Sequence, residues 1–281
     1  MIIDTHHHVW DPALRRHAWL DDLPGLGRRF DLADYEAASE GEGITASLLV
    51  QVLASTAETE EFLALGAAGG MVAGVIGWAD LTRPDIGEEL ARLRGLPGGD
   101  RLAGIRHLVQ DEPDPGWLSR ADARRGLAAI GEAGLVFDLL VRPAQLPAAV
   151  RVTGELGGVR FVLDHGAKPE IARGRMLPWA DLTGELARRP NVTCKLSGLV
   201  TEAGAGWKAE QIIPYAERLL EWFGPDRLMF GSDWPACTLA ASYHDVLALA
   251  RRVLEHLSAA ERDAVFAGNA RTTYGLRLPG D

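Results

Sequence analysis

Eight short segments rich in apolar and β-branched residues recur along the chain at intervals of roughly 25 to 45 residues, and helical patterns fill the gaps between them. They run from Ile2 to His8, Thr45 to Gln51, Val72 to Trp78, Leu102 to Val109, Leu135 to Val141, Val159 to His165, Asn191 to Ser197 and Arg227 to Asp233. Such alternation specifies a parallel sheet, because parallel neighbours need a crossover long enough to hold a helix. Eight units imply closure. The chain has 281 residues, and one α/β barrel routinely uses about 250 residues in a single domain. The expected fold is therefore α/β, a single TIM-type (β/α)8 barrel over residues 1–281. No internal repeat, low-complexity linker or composition break marks a second domain.

The helices are legible from their period. Ile212, Ala216, Leu219, Leu220 and Phe223 fall on one stripe, with Glu217, Arg218 and Glu221 opposite, and Gly224-Pro225 ends the pattern. Leu247, Ala250, Leu254 and Leu257 repeat the spacing. Ser258 with Glu261 reads as a capping box, and Ser119 with Asp122 as another. Two segments exceed what a plain barrel needs: 9–30 after the first strand and 166–179 after the sixth. Both fall at the C-terminal face, where extended loops either cover the mouth or merely decorate the surface.

Composition removes several function classes. A net charge of -10 with acidic and basic residues interspersed offers no basic stripe for nucleic acid. No run of about 18 apolar residues exists to cross a membrane. The strand-like start at Ile2 and Ile3 lacks a basic leader, so the expected location is cytoplasmic, with Cys194 and Cys237 reduced. A small-molecule substrate fits best, and a homo-oligomer is compatible with it.

In a closed barrel the reacting groups sit at the C-terminal ends of the strands. His6 and His8 are two apart on the first, so both project into the mouth while His7 points toward the helices. A histidine run that begins inside a strand does not look like a tag. His165 ends the sixth strand as a ligand or electrophile. Asp233 follows Leu-Met-Phe-Gly-Ser at the end of the eighth, where burial is expected to raise its pKa into the range of a proton shuttle. Gln51, Trp78, Arg106, His107 and Lys195 also lie at or near strand ends, as substrate contacts. Arg106 and His107 are adjacent, so one faces inward; Arg106 is favoured for its fork of donors, with His107 a contact from the strand end. Lys195 needs a partner in its apolar strand, either Asp138 or substrate.

These residues carry a resemblance. Ile-Asp-Thr-His-His-His-Val-Trp (3 to 10), Gly-Ile-Arg-His (104 to 107), Val-Leu-Asp-His-Gly-Ala-Lys-Pro (162 to 169), Cys-Lys-Leu-Ser-Gly (194 to 198), Phe-Gly-Ser-Asp-Trp-Pro (230 to 235) and Gly268-Asn269-Ala270 resemble the amidohydrolase superfamily, and within it the sugar-lactonase branch, over essentially the whole chain. The resemblance implies a hydrolase that opens a small aldonolactone by water attack, with His6, His8, His165 and Asp233 as the reacting centre and Asp233 as base and then acid. It also implies a divalent ion in many members. This sequence lacks a histidine on strand five and a bridging lysine or glutamate on strand four. One Zn²⁺ held by His6, His8, His165 and Asp233 fits better than two, and a metal-free site is its competitor. Two rivals follow from the same residues: a Zn²⁺-dependent decarboxylase, which needs a carboxylate clamp, and a sugar-binding barrel without activity.

Overall fold

The computed structural model describes residues 1–278. Among these, eight parallel strands form one sheet in sequence order: β1 (Ile2–His7), β2 (Ile44–Val50), β3 (Val72–Gly77), β4 (Leu102–His107), β5 (Val136–Leu139), β6 (Arg160–Leu163), β7 (Val192–Leu196) and β8 (Leu228–Phe230). Backbone bonds between the ends of β8 and β1 close the barrel: Asp233 N–H donates to His6 O and His8 N–H to Trp234 O, both at 2.8 Å. The expected α/β barrel is the fold observed.

Each strand lies within its expected segment or a residue from it, but most stop early. β8 ends at Phe230, not Asp233, because the backbone turns at Gly231 and again at Asp233, whose φ is +60°. A Cβ on Gly231 would lie 2.8 Å from the His6 Cβ, so only glycine lets β8 approach β1 this closely. β6 likewise ends at Leu163, and His165 stands on the turn beyond it.

The helix Ala209–Phe223 buries Ile212, Ala216, Leu219, Leu220 and Phe223 against the barrel. It ends at Gly224, φ +67°. Ser258 and Glu261 form the expected capping box. Ser119 does not cap: the helix Ala121–Glu132 starts after Arg120, whose guanidinium captures the Asp122 carboxylate at 3.0 and 2.6 Å.

Inside the barrel two layers are stacked. The floor is apolar: Ile3, Leu48, Ile76, Val136, Val162 and Met229 pack together, with Tyr274 and Leu276 beneath them. Burying each such side chain is worth about 1.5–3 kcal/mol. Two residues further along the same strand faces, Val136 gives way to Asp138 and Val162 to Asp164, joined by Arg106 and Lys195. On β1 a register irregularity between Asp4 and His7 lets Ile3 belong to the floor while His6 and His8 belong to the mouth.

Candidate active site

Asp4 anchors the site from behind. Its carboxylate is fully buried and accepts from Ser232 N–H (2.8 Å), His6 N–H (3.1 Å) and the hydroxyls of Tyr35 and Tyr243 (3.1 Å each). One side chain thus ties the histidine strand to the segment carrying Asp233. His7 faces the helix Leu32–Ala38, as its parity predicts, stacked on Tyr35 at 3.9 Å and bonded to Ser47.

Three imidazoles face one carboxylate oxygen. The Nε2 atoms of His8, His6 and His165 stand 3.5, 3.8 and 3.8 Å from Asp233 Oδ1. Each ring is oriented through its other nitrogen. His8 Nδ1–H donates to Val50 O at 2.8 Å, His165 Nδ1 bonds Ser197 Oγ at 2.9 Å, and His6 Nδ1 faces Asp164 Oδ1 at 3.3 Å. His165 reaches its place on a left-handed turn, φ +53°, and packs so tightly on Gly198 that a Cβ there would lie 2.5 Å from His165 Nδ1.

Beneath them lies a charged layer. Arg106 Nη1 donates to His6 Nε2 and to Asp164 Oδ2, both at 3.1 Å. Lys195 Nζ pairs with Asp138 and lies 3.0 Å from Asp164 Oδ1 and 3.2 Å from His6 Nδ1. Tyr274 Oη donates to Asp138 from below, at 2.9 Å. Two cations and two carboxylates balance, which is what makes such burial tolerable.

The charge states follow. Burial pushes the His6 imidazole well below its ordinary value, and it holds His165 at about 4 against the pull of Asp233 and Asp164. Burial would raise Asp164, but Lys195, His6 and Arg106 hold it well below the carboxylate range. Asp233 corrects an expectation. Burial does press its pKa upward, yet His165, His8 and His6 outweigh that, and the carboxyl is held below its ordinary value. At neutral pH the centre is a carboxylate among imidazoles, with His6 and His165 neutral.

A cavity of about 400 Å³ opens above Asp233. His8, His165, Asp233 and Arg106 line it, and His6 lies just under its floor. The segment 9–30 contributes Trp10, Trp19, Leu23 and Leu26 to the wall. Gln51, Trp78, His107 and Lys195 do not line it. Gln51 is spent on Arg106, accepting through its backbone and side-chain oxygens. His107 takes Trp78 Nε1–H on Nδ1 (3.1 Å), meets Glu112 with Nε2 (2.7 Å) and stacks on Trp117. Of the adjacent pair, Arg106 is the inward residue. Arg142, Lys168 and Glu202 line the cavity without having been singled out. The sequence signal for Lys168 was its place in the string Asp-His-Gly-Ala-Lys-Pro, three residues from His165. A larger groove, about 1090 Å³ between the helices Trp179–Ala187 and Ala209–Phe223, carries no histidine.

Comparison with known proteins identifies the family. The amidohydrolase family profile matches residues 3–276. The chain belongs to the amidohydrolase family. An L-fucono-1,5-lactonase of Burkholderia multivorans is 38% identical over 99% of this chain and 97% of its own length. Its counterpart in Burkholderia ambifaria is 36% identical over 99% and 96%. The crystal structure of an amidohydrolase from Burkholderia multivorans with bound zinc is 37% identical, with a TM-score of 0.93 covering 99% of this chain and 100% of that one.

Three buried side chains of this amidohydrolase form a donor set for one ion. Ligand atoms of His6, His165 and Asp233 all lie within 4.8 Å of one another. Tetrahedral ligands at about 2.0–2.1 Å from a metal stand roughly 3.4 Å apart, and His6 Nε2 and His165 Nε2 each stand 3.8 Å from Asp233 Oδ1. Neutral imidazoles and a carboxylate are the protonation states an ion requires. His8 meets Asp233 but falls outside that mutual group. Arg106 must release His6 Nε2 for His6 to serve. Among the described residues, no helix is long and apolar enough to cross a membrane. Both cysteines are free and buried, and burial pushes their thiols up.

Proposed function

We propose that this amidohydrolase is a sugar lactonase, opening the ring ester of a small aldonolactone by water attack. The convergence of three ring nitrogens on Asp233 at 3.5–3.8 Å carries the reading, and the relatives that are L-fucono-1,5-lactonases support it over decarboxylation or mere sugar binding.

Asp233, ionised and aimed into the cavity, takes a proton from water. The water oxygen bonds to the carbonyl carbon while His165, donating Nε2–H with Ser197 O–H on its Nδ1, and the Arg106 guanidinium polarise the carbonyl oxygen; the Nε2 lone pairs of His6 and His8 suit an ion instead. The acyl–oxygen bond of the ring then breaks, and Asp233 delivers the proton to the departing ring oxygen. The product is an open hydroxy acid. Stabilising the developing oxyanion is worth several kcal/mol per well-placed donor. His6, His165 and Asp233, with His8 alongside, are the residues that would hold a single Zn²⁺, which when bound supplies Lewis acidity toward the carbonyl. Arg106 holds His6 in place and contributes fixed positive charge beneath the reacting atoms.

A pH-indicator screen of aldonolactones, with and without chelator, tests the reading. Acid release from at least one sugar lactone is expected; none from any five- or six-membered aldonolactone would overturn it. A rate that survives chelation assigns the polarising role to His165 and Arg106, whereas a rate lost on chelation and restored by zinc assigns it to the ion.

A further inference from the structure

After His165 the chain does something unusual. His165, Gly166, Ala167 and Lys168 have φ of +53°, +54°, +64° and +50°, a full left-handed turn in which three residues are not glycine. Each costs about 1 kcal/mol or more in that region, and such strain persists only where the surroundings enforce it. The turn folds the chain back, Lys168 N–H donating to His165 O at 2.9 Å, so that both side chains line one cavity.

Lys168 faces a carboxylate from the next loop. Glu202, on the short helix Leu199–Ala203 that follows β7, places Oε1 4.0 Å from Lys168 Nζ, each side chain 18% exposed. A closed ion pair would stand at about 2.7–2.9 Å, so this couple is open. It adds little stability at that separation, which leaves its position over the cavity unexplained by folding. These loops follow β6 and β7, three and two strands round the barrel from β1, whose own loop brings in Trp10 and Trp19, packed edge to face at 5.1 Å. The cavity thus has an aromatic wall and a charged wall. A ring hydroxyl is both donor and acceptor, and an ammonium beside a carboxylate satisfies both roles at once.

We infer that Lys168 and Glu202 form the substrate-reading pair of this site, an open couple that closes around one hydroxyl of a polyhydroxylated lactone. The inference rests on the lactonase reading and adds to it how a sugar lactone is told from a bare one. A pocket built to bond a hydroxyl rejects the analogue that lacks it, because its own polar groups are then left unpaired.

The test is a cycle between protein and substrate. kcat/KM is measured for wild type, Glu202→Gln and Lys168→Met on an aldonolactone that the wild type opens and on its monodeoxy analogues, with thermal unfolding as the check on folding. At one ring position, removing the hydroxyl should lower kcat/KM of the wild type about tenfold or more, and of Glu202→Gln less than about threefold. Additive losses at every ring position would overturn the pairing. Should Lys168→Met fail to fold, the Glu202→Gln cycle decides alone. If the wild type opens no aldonolactone, the lactonase reading fails instead, so the two failures are distinguishable.

Discussion

The barrel interior holds two regions built on the same strand faces and opposite in character. Val136 and Val162 belong to a floor that excludes every charge; Asp138 and Asp164, two residues on, belong to a layer where four charged groups and a histidine are buried together. The floor is what packing alone would choose. The upper layer is not, since well-packed apolar residues of similar volume would often be as stable or more so. What the charged layer adds is orientation: Asp164 fixes the ring of His6, and Arg106 meets its other nitrogen, the one that faces Asp233.

That contrast predicts different failures for the two regions. Asp233→Asn should lower kcat/KM on an aldonolactone by about 10³-fold while the urea midpoint hardly moves; retention of most activity would remove Asp233 from its role. Lys195→Met leaves Asp138 and Asp164 buried without their ammonium and should destabilise the fold by about 3–5 kcal/mol. A change under about 1 kcal/mol would mean that the layer is held by something other than its charges.

Leu48→Ala in the floor should cost about 3 kcal/mol in urea unfolding, while kcat of the folded fraction stays near that of the wild type. A loss of kcat as large as that of Asp233→Asn would erase the distinction between floor and mouth. The smallest effect concerns Glu58, a buried carboxylate that accepts from Val52 and Leu53 N–H at 2.8 and 2.9 Å rather than facing histidines. Burial pushes it up to about 7. The folded state therefore keeps a proton that the unfolded chain loses above about 4.5, so this contribution to stability is present at low pH and disappears as pH rises through 7. Relative to Glu58→Gln, the wild type should lose stability between pH 5 and 8, by no more than about 3 kcal/mol. An unchanged difference over that range would show that Glu58 does not titrate there.

Much of this was legible in the sequence because the signals were periodic. Strand and helix alternation gave eight strands, and the two-residue repeat put His6 and His8 together. The misses have physical causes. Asp233 was expected to titrate high because burial could be inferred from its neighbours, but the three histidines that reverse the shift arrive from other strands. His107 and Trp78 sit at strand ends like true mouth residues, yet one faces outward by parity and they bond each other. Lys168 lay in the string that carries His165 but was passed over, because no propensity rule anticipates a left-handed turn with only one glycine, and Glu202 follows β7 on a short helix that no strand-end rule points to. Asp4 was not singled out, because its four donors, which hold β1 to the segment bearing Asp233, come from other parts of the chain or from the backbone.

The central claim is that Asp233 activates a water molecule and does not itself attack the ring. A single turnover in ¹⁸O-enriched water, with enzyme in excess over an aldonolactone, tests it most directly. The account predicts one ¹⁸O atom in the product carboxylate and none in the protein. Unlabelled product together with ¹⁸O in the peptide containing Asp233 would contradict it.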